Sequence, residues 1–417
     1  MFDKEVYCQN ASDMVAQAHQ TIYESLGKLK YVNLKYKAKG QSESTWLYNV
    51  DFGIKDDCCE IVFQNSDTPS VTVALDALEY LKLRPYYIAT CVGFKNIIFY
   101  SYEEKGGRMM SLKGRDFLTL RDFTGEEIQE IVDLGLDLKD KQKKGIPHPY
   151  LQGKSLGMIF QKSSTRTRVS FEVGMYQLGG QALFLSSNDL QIGRGEPVKD
   201  TARVLARYLD GILIRTFDQA EVEEFAKYAD IPIINGLTDT YHPTQVIADL
   251  ITIKEHKGTL QGLDFCYVGD GNNMTHSLMI GMLKCGMNVH VATPDNYRPD
   301  PEIVAYAQGI AAENNCTLIL TNDPKEVVKN ADVVYTDTWA SMGQESEKEV
   351  RAKAFAGYQI DLALFETAKD DAIFMHCLPA YRGFEVTDEV MEHPRSVIFD
   401  EAENRMHAHK AIMASVM

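Results

Sequence analysis

No stretch of the 417-residue sequence approaches the ~18 consecutive apolar residues that a membrane-spanning helix needs. Basic charge is also scarce: 43 Lys and Arg face 59 Asp and Glu, for a net charge of -16. That balance repels nucleic acid and anionic membrane surfaces, which removes both from the expected partners. It repels small anions too, so any phosphate site has to be a compact arginine cluster within an acidic surface. The start, Met1-Phe2-Asp3-Lys4-Glu5, has neither the basic segment nor the apolar core of a secretory signal, and it lacks the arginines of a mitochondrial transit peptide. Eight cysteines show no paired spacing, and Cys58-Cys59 has no second pair to complete a zinc site. These absences describe a cytoplasmic protein with reduced thiols. Asn10-Ala11-Ser12 is accordingly not read as a glycosylation acceptor. What remains, 45% apolar and 24% charged residues, is a globular composition, in a chain long enough for two or three domains.

Three blocks follow along the chain. In 1–107, Met14, Ala18, Ile22 and Leu26 recur at helical spacing within Ala11–Leu29. Runs rich in β-branched and aromatic residues at Tyr31–Tyr36, Thr45–Phe52, Glu60–Gln64 and Asn96–Tyr102 read as strands. The block is expected to be a small α+β domain; Tyr86-Tyr87 with Cys91, or Cys58-Cys59, read as core packing within it, with a ligand pocket as the alternative. Glu103–Arg108 is polar and Gly-containing, which suits a linker.

A capping signal, Thr124-Gly125-Glu126-Glu127, then opens a helix with Ile128, Ile131, Leu134 and Leu138 on one face. Strands at Ser155–Phe160, Gln181–Leu185, Gly211–Arg215 and Pro232–Asn235 alternate with helices at Arg166–Leu178, Val198–Leu209 and Thr244–His256. The third block repeats the alternation: strands Asp264–Val268, Asn288–Ala292, Thr317–Thr321, Val333–Thr336 and Ala372–His376, with a helix at Thr275–Cys285. Such alternation predicts two doubly wound α/β domains with parallel sheets, at 111–256 and 257–400, and a C-terminal helix over 401–417 packing back on the first. Ligands are expected at strand C-terminal ends, in the cleft between the sheets.

The most specific local signal is Ser163-Ser164-Thr165-Arg166-Thr167-Arg168, directly after the strand ending near Phe160. A helix N-terminus offers unpaired N–H groups and the positive end of its dipole, and guanidinium groups grip phosphate oxygens two at a time. The bland alternative is a capped helix with two solvated arginines; a bare Ser/Thr-rich cap would favour it, but this hexapeptide is much more specific. Two nucleotide readings fail. Gly269-Asp270-Gly271-Asn272-Asn273 has Met274 at the third glycine position of a dinucleotide fingerprint, and the next strand ends in Ala292-Thr293 without an acid for the ribose; an amide at the strand end, Asn272-Asn273, to hold an amino-acid portion is the better account. Gly153-Lys154-Ser155 has His148 where a P-loop needs its first glycine. His407 and His409 are assigned to packing.

With four further motifs in the same order, His242-Pro243-Thr244-Gln245, Asp337 to Gly343, His376-Cys377-Leu378-Pro379 and Glu401 to Arg405, the sequence from about 111 to 417 resembles the aspartate/ornithine carbamoyltransferase family. Ser341-Met342-Gly343 and His-Cys-Leu-Pro resemble its ornithine branch. An aspartate enzyme carries His-Pro-Leu-Pro in the second place, and the alternative putrescine enzymes lack the Ser-Met-Gly loop. The resemblance implies two domains of the carbamoyltransferase type, binding carbamoyl phosphate (111–256) and ornithine (257–400), and a role in arginine metabolism. It leaves 1–107 without a role. It further implies that Ser164, Thr165, Arg166, Thr167 and Arg168 bind or support the phosphate, and that Arg215, His242 and Gln245 hold the carbamoyl group. Cys377, Leu378 and Arg405 close that site, and Gln191 is lent across a subunit boundary of a trimer. Asn273, Asp337, Ser341 and Met342 are implied to hold ornithine. Arg166, His242, Asp337 and Cys377 are the implied catalytic groups, the last two facing the amine. Because carbamoyl phosphate is already a mixed anhydride, neither metal, cofactor nor covalent intermediate is expected. A silent carbamoyltransferase-like regulator is the competing class, against which the intact phosphate arginines and Ser-Met-Gly loop both argue.

Overall fold

The computed structural model describes residues 112–187, 190–340 and 343–417, together with six strands in the first 109 residues. The chain divides into two compact units, Met1–Met109 and Met110–Met417. In the first, β1 (Glu5–Tyr7), β2 (Tyr31–Lys37), β3 (Thr45–Val50), β4 (Cys58–Asn65), β5 (Thr68–Asp76) and β6 (Asn96–Tyr102) form one antiparallel sheet in the order β1-β6-β4-β5-β2-β3. The four expected strands are present. β1 and β5 are additions, the latter hidden in the sequence by the turn-like Asp67-Thr68-Pro69-Ser70 at its start. The helix expected at Ala11–Leu29, the linker at Glu103–Arg108, Asn10-Ala11-Ser12, Tyr86-Tyr87 and Cys91 all lie outside the described residues.

The second unit begins its regular structure with α1 (Gly125–Lys143), where Thr124 and Glu127 form the reciprocal capping box expected of them. β7 (Ser155–Phe160), α2 (Thr165–Gln177), β8 (Gln181–Ser186), α3 (Val198–Leu205), β9 (Gly211–Arg215), α4 (Gln219–Tyr228) and β10 (Ile233–Leu237) make a four-stranded parallel sheet, ordered β10-β9-β7-β8. The near-continuous burial of β7 and β9 is what helices on both faces produce. α5 (Pro243–Lys257) then leads to the second sheet. This contains β11 (Asp264–Val268), β12 (Asn288–Ala292), β13 (Leu318–Thr321), β14 (Val333–Thr336) and β15 (Ile373–His376), all parallel, in the order β13-β12-β11-β14-β15. Its connections carry α6 (Asn273–Lys284), α7 (Pro301–Glu313), α8 (Pro324–Val328), α9 (Lys348–Ala354) and α10 (Leu362–Phe365). α11 (Asp388–Met391) follows β15, and α12 (Ile398–Val416) packs against α1, α2 and α5.

The parallel α/β architecture expected from the alternation is therefore present. Helices α4 and α7 were not read from the sequence, although Asp218 and Asp300 cap them. α3 stops at Leu205 rather than Leu209, because the chain must turn to bring Asp210 onto the Ser155 N–H at the start of β7 (2.8 Å). Among the described residues no helix is long and apolar enough to cross a membrane.

Candidate active site

Between the two parallel sheets lies a cavity of about 350 Å³, and strand C-terminal ends and helix N-termini supply its walls. The turn after β7 delivers Lys162, Ser163 and Ser164, and α2 begins with Thr165 and Arg166. Ser164 accepts the Thr167 N–H (3.2 Å) and so caps the helix, leaving the other first-turn N–H groups for an anion. β9 ends in Arg215, and α5 is entered through His242, whose N–H donates to Ser277 Oγ (2.8 Å). From α12, Arg405 reaches across and donates to Thr167 Oγ1 (2.8 Å). Three guanidiniums thus converge in a largely buried place. Burial, with Arg405 and Arg166 nearby, pushes Arg215 down to about 9. Burial and the charges of Arg405 and Arg215 hold the His242 imidazole well below its usual value, so it is neutral. Arg166 Nε is buried without a partner inside the protein. Clustered guanidiniums beside a buried donor with no protein partner suit a phosphate dianion.

The opposite wall is built by the second sheet. Asp337 follows β14, and Cys377 and Leu378 follow β15. Asp337 Oδ1 accepts the Thr338 N–H (2.8 Å) and the Cys377 thiol (3.1 Å), while Oδ2 accepts Asn272 Nδ2 (3.3 Å). Burial, then the charges of Asp337 and Glu401, push the Cys377 thiol well above its ordinary value. It stays a neutral S–H donor to Asp337. Leu378 adopts φ +57, a left-handed conformation uncommon for a residue with a Cβ, and its N–H donates to His376 Nδ1 (3.0 Å). Asp337, His376 and Cys377 bring ligand-type atoms within 4.8 Å of one another. Each is already used, because His376 Nε2 meets the buried Glu385 at 3.2 Å. Behind Asp337, Arg351 donates to Asp270 Oδ2 (2.7 Å) and Trp339 O (2.9 Å), and so ties the loop after β14 to the end of β11.

Of the residues singled out in the sequence, Ser164, Thr165, Arg166, Arg215, His242, Gln245, Asn273, Asp337, Cys377, Leu378 and Arg405 line this one cavity. Thr167 lies just beneath, buried under Arg405. Arg168 points elsewhere, paired with Glu172 (3.0 Å) and stacked 3.7 Å over Phe184. Gln191 is exposed in a short 3-10 turn, Gln191–Arg194, away from the cavity wall. Ser341 and Met342 lie outside the described residues. Sequence reading missed Lys162, which pairs with Asp239 and lies over Phe217 (4.3 Å); its signal was its position immediately before the phosphate motif. Asn272, after the end of β11, caps α6.

The glycine-rich turn after β11 has a packing explanation. A Cβ on Gly271 would stand 2.3 Å from Pro299 N and 2.4 Å from Arg298 C, so the glycine admits a crossing backbone rather than a nucleotide. Gly271→Ala is expected to cost about 1–3 kcal/mol or more, seen as a lower melting temperature. A melting temperature equal to that of the unaltered protein would contradict the crossing.

Two parallel-sheet lobes around an arginine-rich anion pocket, faced by a carboxylate, define a group transferase that takes a phosphorylated donor. The chain belongs to the aspartate/ornithine carbamoyltransferase family: residues 115–255 match that family's carbamoyl-P binding domain and residues 261–416 its Asp/Orn binding domain. The ornithine carbamoyltransferase of Caldicellulosiruptor saccharolyticus is 60% identical over 302 residues, covering 72% of this chain and 98% of that protein. That of Carboxydothermus hydrogenoformans is 59% identical over 307 residues, covering 74% and 99%. The structure of ornithine carbamoyltransferase from Pyrococcus furiosus matches with a TM-score of 0.72 at 55% identity, over 74% of this chain and 98% of that one. The resemblance carried by the five motifs is borne out.

Proposed function

We propose that this chain is an ornithine carbamoyltransferase, converting carbamoyl phosphate and L-ornithine to L-citrulline and phosphate. The observation that carries the reading is the single cavity joining Arg166, Arg215 and Arg405 to Asp337. The arginines, with the α2 N-terminus, hold the phosphate and take up the charge it gains as leaving group. His242, neutral, and Gln245 hold the carbamoyl group. Ornithine's side-chain amine resembles lysine, with a pKa of about 10.4, so it arrives protonated. Asp337, oriented by Cys377, Thr338 and Asn272, receives that proton. The amine nitrogen then bonds to the carbonyl carbon as the carbon–oxygen bond to phosphate breaks; the electron pair leaves with the phosphate, which takes up the second proton that the nitrogen sheds. Asn273, with Ser341 and Met342 after β14, completes the ornithine side, so that 111–256 is the donor domain and 257–400 the acceptor domain. Citrulline formation from the two substrates, set beside carbamoylation of putrescine, tests the assignment; no citrulline at any substrate concentration contradicts it.

Trimeric assembly is part of the proposal. Val169, Val173 and Tyr176 (79% exposed) share one face of α2, beside Leu183 (40%) and Phe184 (38%) on the edge strand β8. Apolar residues turned outward at helical spacing support a covered surface in the assembly, and Gln191 lies just after this strand. The unpaired thiols of Cys266, Cys285, Cys316 and Cys377 support a reducing, cytoplasmic setting. The chemistry needs nothing from 1–107, because every proposed site residue and both family matches lie beyond it. Protein beginning at Met109 should therefore be soluble and form citrulline at a rate within a few-fold of the whole chain. A loss of several orders of magnitude in a steady-state assay would show that the first unit is integral to the site.

A further inference from the structure

Two carboxyl groups sit behind the cavity with no solvent contact: Asp249 on α5 and Glu401 on α12, exposed by 0% and 1%. Burying two acids together is costly unless something depends on them. Gln245, one turn before Asp249, donates both of its amide hydrogens to this pair, Nε2 lying 2.8 Å from Asp249 Oδ1 and 3.1 Å from Glu401 Oε1. Its other amide atom, Oε1, is buried with no partner inside the protein, while the residue lines the cavity. A glutamine amide can in principle sit either way round. Here both inner neighbours of the amide are carboxyl oxygens that accept from Nε2, so the amide is set with its acceptor toward the cavity.

The same acids are anchored from the second sheet. Glu401 Oε2 accepts the His376 N–H (2.9 Å), and Tyr335 O–H donates to Glu401 Oε1 (3.2 Å) and approaches Asp249 Oδ2 (3.5 Å). One carboxyl group therefore sets both the orientation of Gln245 and the position of the strand end that carries Cys377. Burial pushes both acids up, Asp249 to about 7 and Glu401 well above its usual value, the latter also because Asp249 stands beside it. Arg405 is the nearby cation that faces both acids.

We propose that Asp249 and Glu401 are positioning residues that make Gln245 a reader of the donor's amide, so that the site separates carbamoyl phosphate from an acyl phosphate bearing a methyl group in the amide's place. The inference rests on the carbamoyltransferase reading above. Acetyl phosphate has nearly the same size and the same phosphate, but offers no N–H to Gln245 Oε1, which would then stay unpaired in a buried site.

The test compares dissociation constants of the whole chain for carbamoyl phosphate, acetyl phosphate and inorganic phosphate by calorimetry. Asp249→Asn and Glu401→Gln are close in shape but supply N–H groups that let the Gln245 amide turn round. Each is expected to reduce the preference for carbamoyl over acetyl phosphate about tenfold or more, with inorganic phosphate bound within about twofold of the unaltered protein. Gln245→Met, which leaves both acids in place, should reduce the preference similarly, and combining it with Glu401→Gln should add little. An unchanged preference in Gln245→Met overturns the proposal even if the acid variants do not fold. So does a preference kept in the acid variants while binding of all three ligands weakens together, since that is the signature of a structural role alone. Failure of the unaltered protein to bind carbamoyl phosphate or form citrulline would instead defeat the carbamoyltransferase reading.

Discussion

Arg166→Ala is expected to weaken carbamoyl phosphate binding by at least about a hundredfold while leaving the unliganded protein as stable as before. Charge-assisted hydrogen bonds contribute roughly 1.5–3 kcal/mol each, and a guanidinium at the start of α2 can make two to a phosphate. Their joint loss corresponds to ~10²-fold or more in affinity. Stability should not fall with it. Arg166 is one of the cations that depress the Arg215 charge, and its own Nε has no partner inside the protein, so its removal relieves repulsion. Thermal unfolding separates the two effects. Phosphate should raise the melting temperature of the unaltered protein by mass action, and this rise should be absent in the variant. An equal rise in both proteins would place the phosphate elsewhere.

Asp337→Asn acts on the other half of the reaction. Freeing the ornithine amine of its proton at neutral pH costs about 4–5 kcal/mol, from roughly 3.4 units at 1.36 kcal/mol each. Losing the group that receives this proton should lower kcat by roughly 10³-fold. Asparagine keeps the shape and still accepts from Cys377 and Thr338, so carbamoyl phosphate affinity should stay within about twofold. A variant in which only the KM for carbamoyl phosphate changes would move Asp337 out of the amine site.

The comparison of sequence with structure divides along physical lines. β7, β9, β11 and β14 were legible to the residue as apolar runs bounded by turns, and β12 by its alternating valines. α4 and α7 were not: α4 has a broad polar face, and α7 is so rich in alanine that its buried stripe of Ile303, Ala307, Ile310 and Ala311 has weak contrast. β5 was masked by Pro69 near its first residue. Within the site, Ser164 to Arg166, His242 and Asp337 were legible because their motifs are local. The Asp249–Glu401 pair was not: its members are far apart in sequence, and nothing near either one announces the other. The thiol state of Cys377 was equally out of reach, since it depends first on burial, which the motif does not reveal.

The central claim is transfer of a carbamoyl group to ornithine. Its most direct measurement is the product formed when the whole chain meets ¹³C-labelled carbamoyl phosphate and an equimolar mixture of ornithine and putrescine. The account predicts that the label appears in the ureido carbon of citrulline, with carbamoyl-putrescine a minor product. Carbamoyl-putrescine in excess, or release of label without either product, would contradict it.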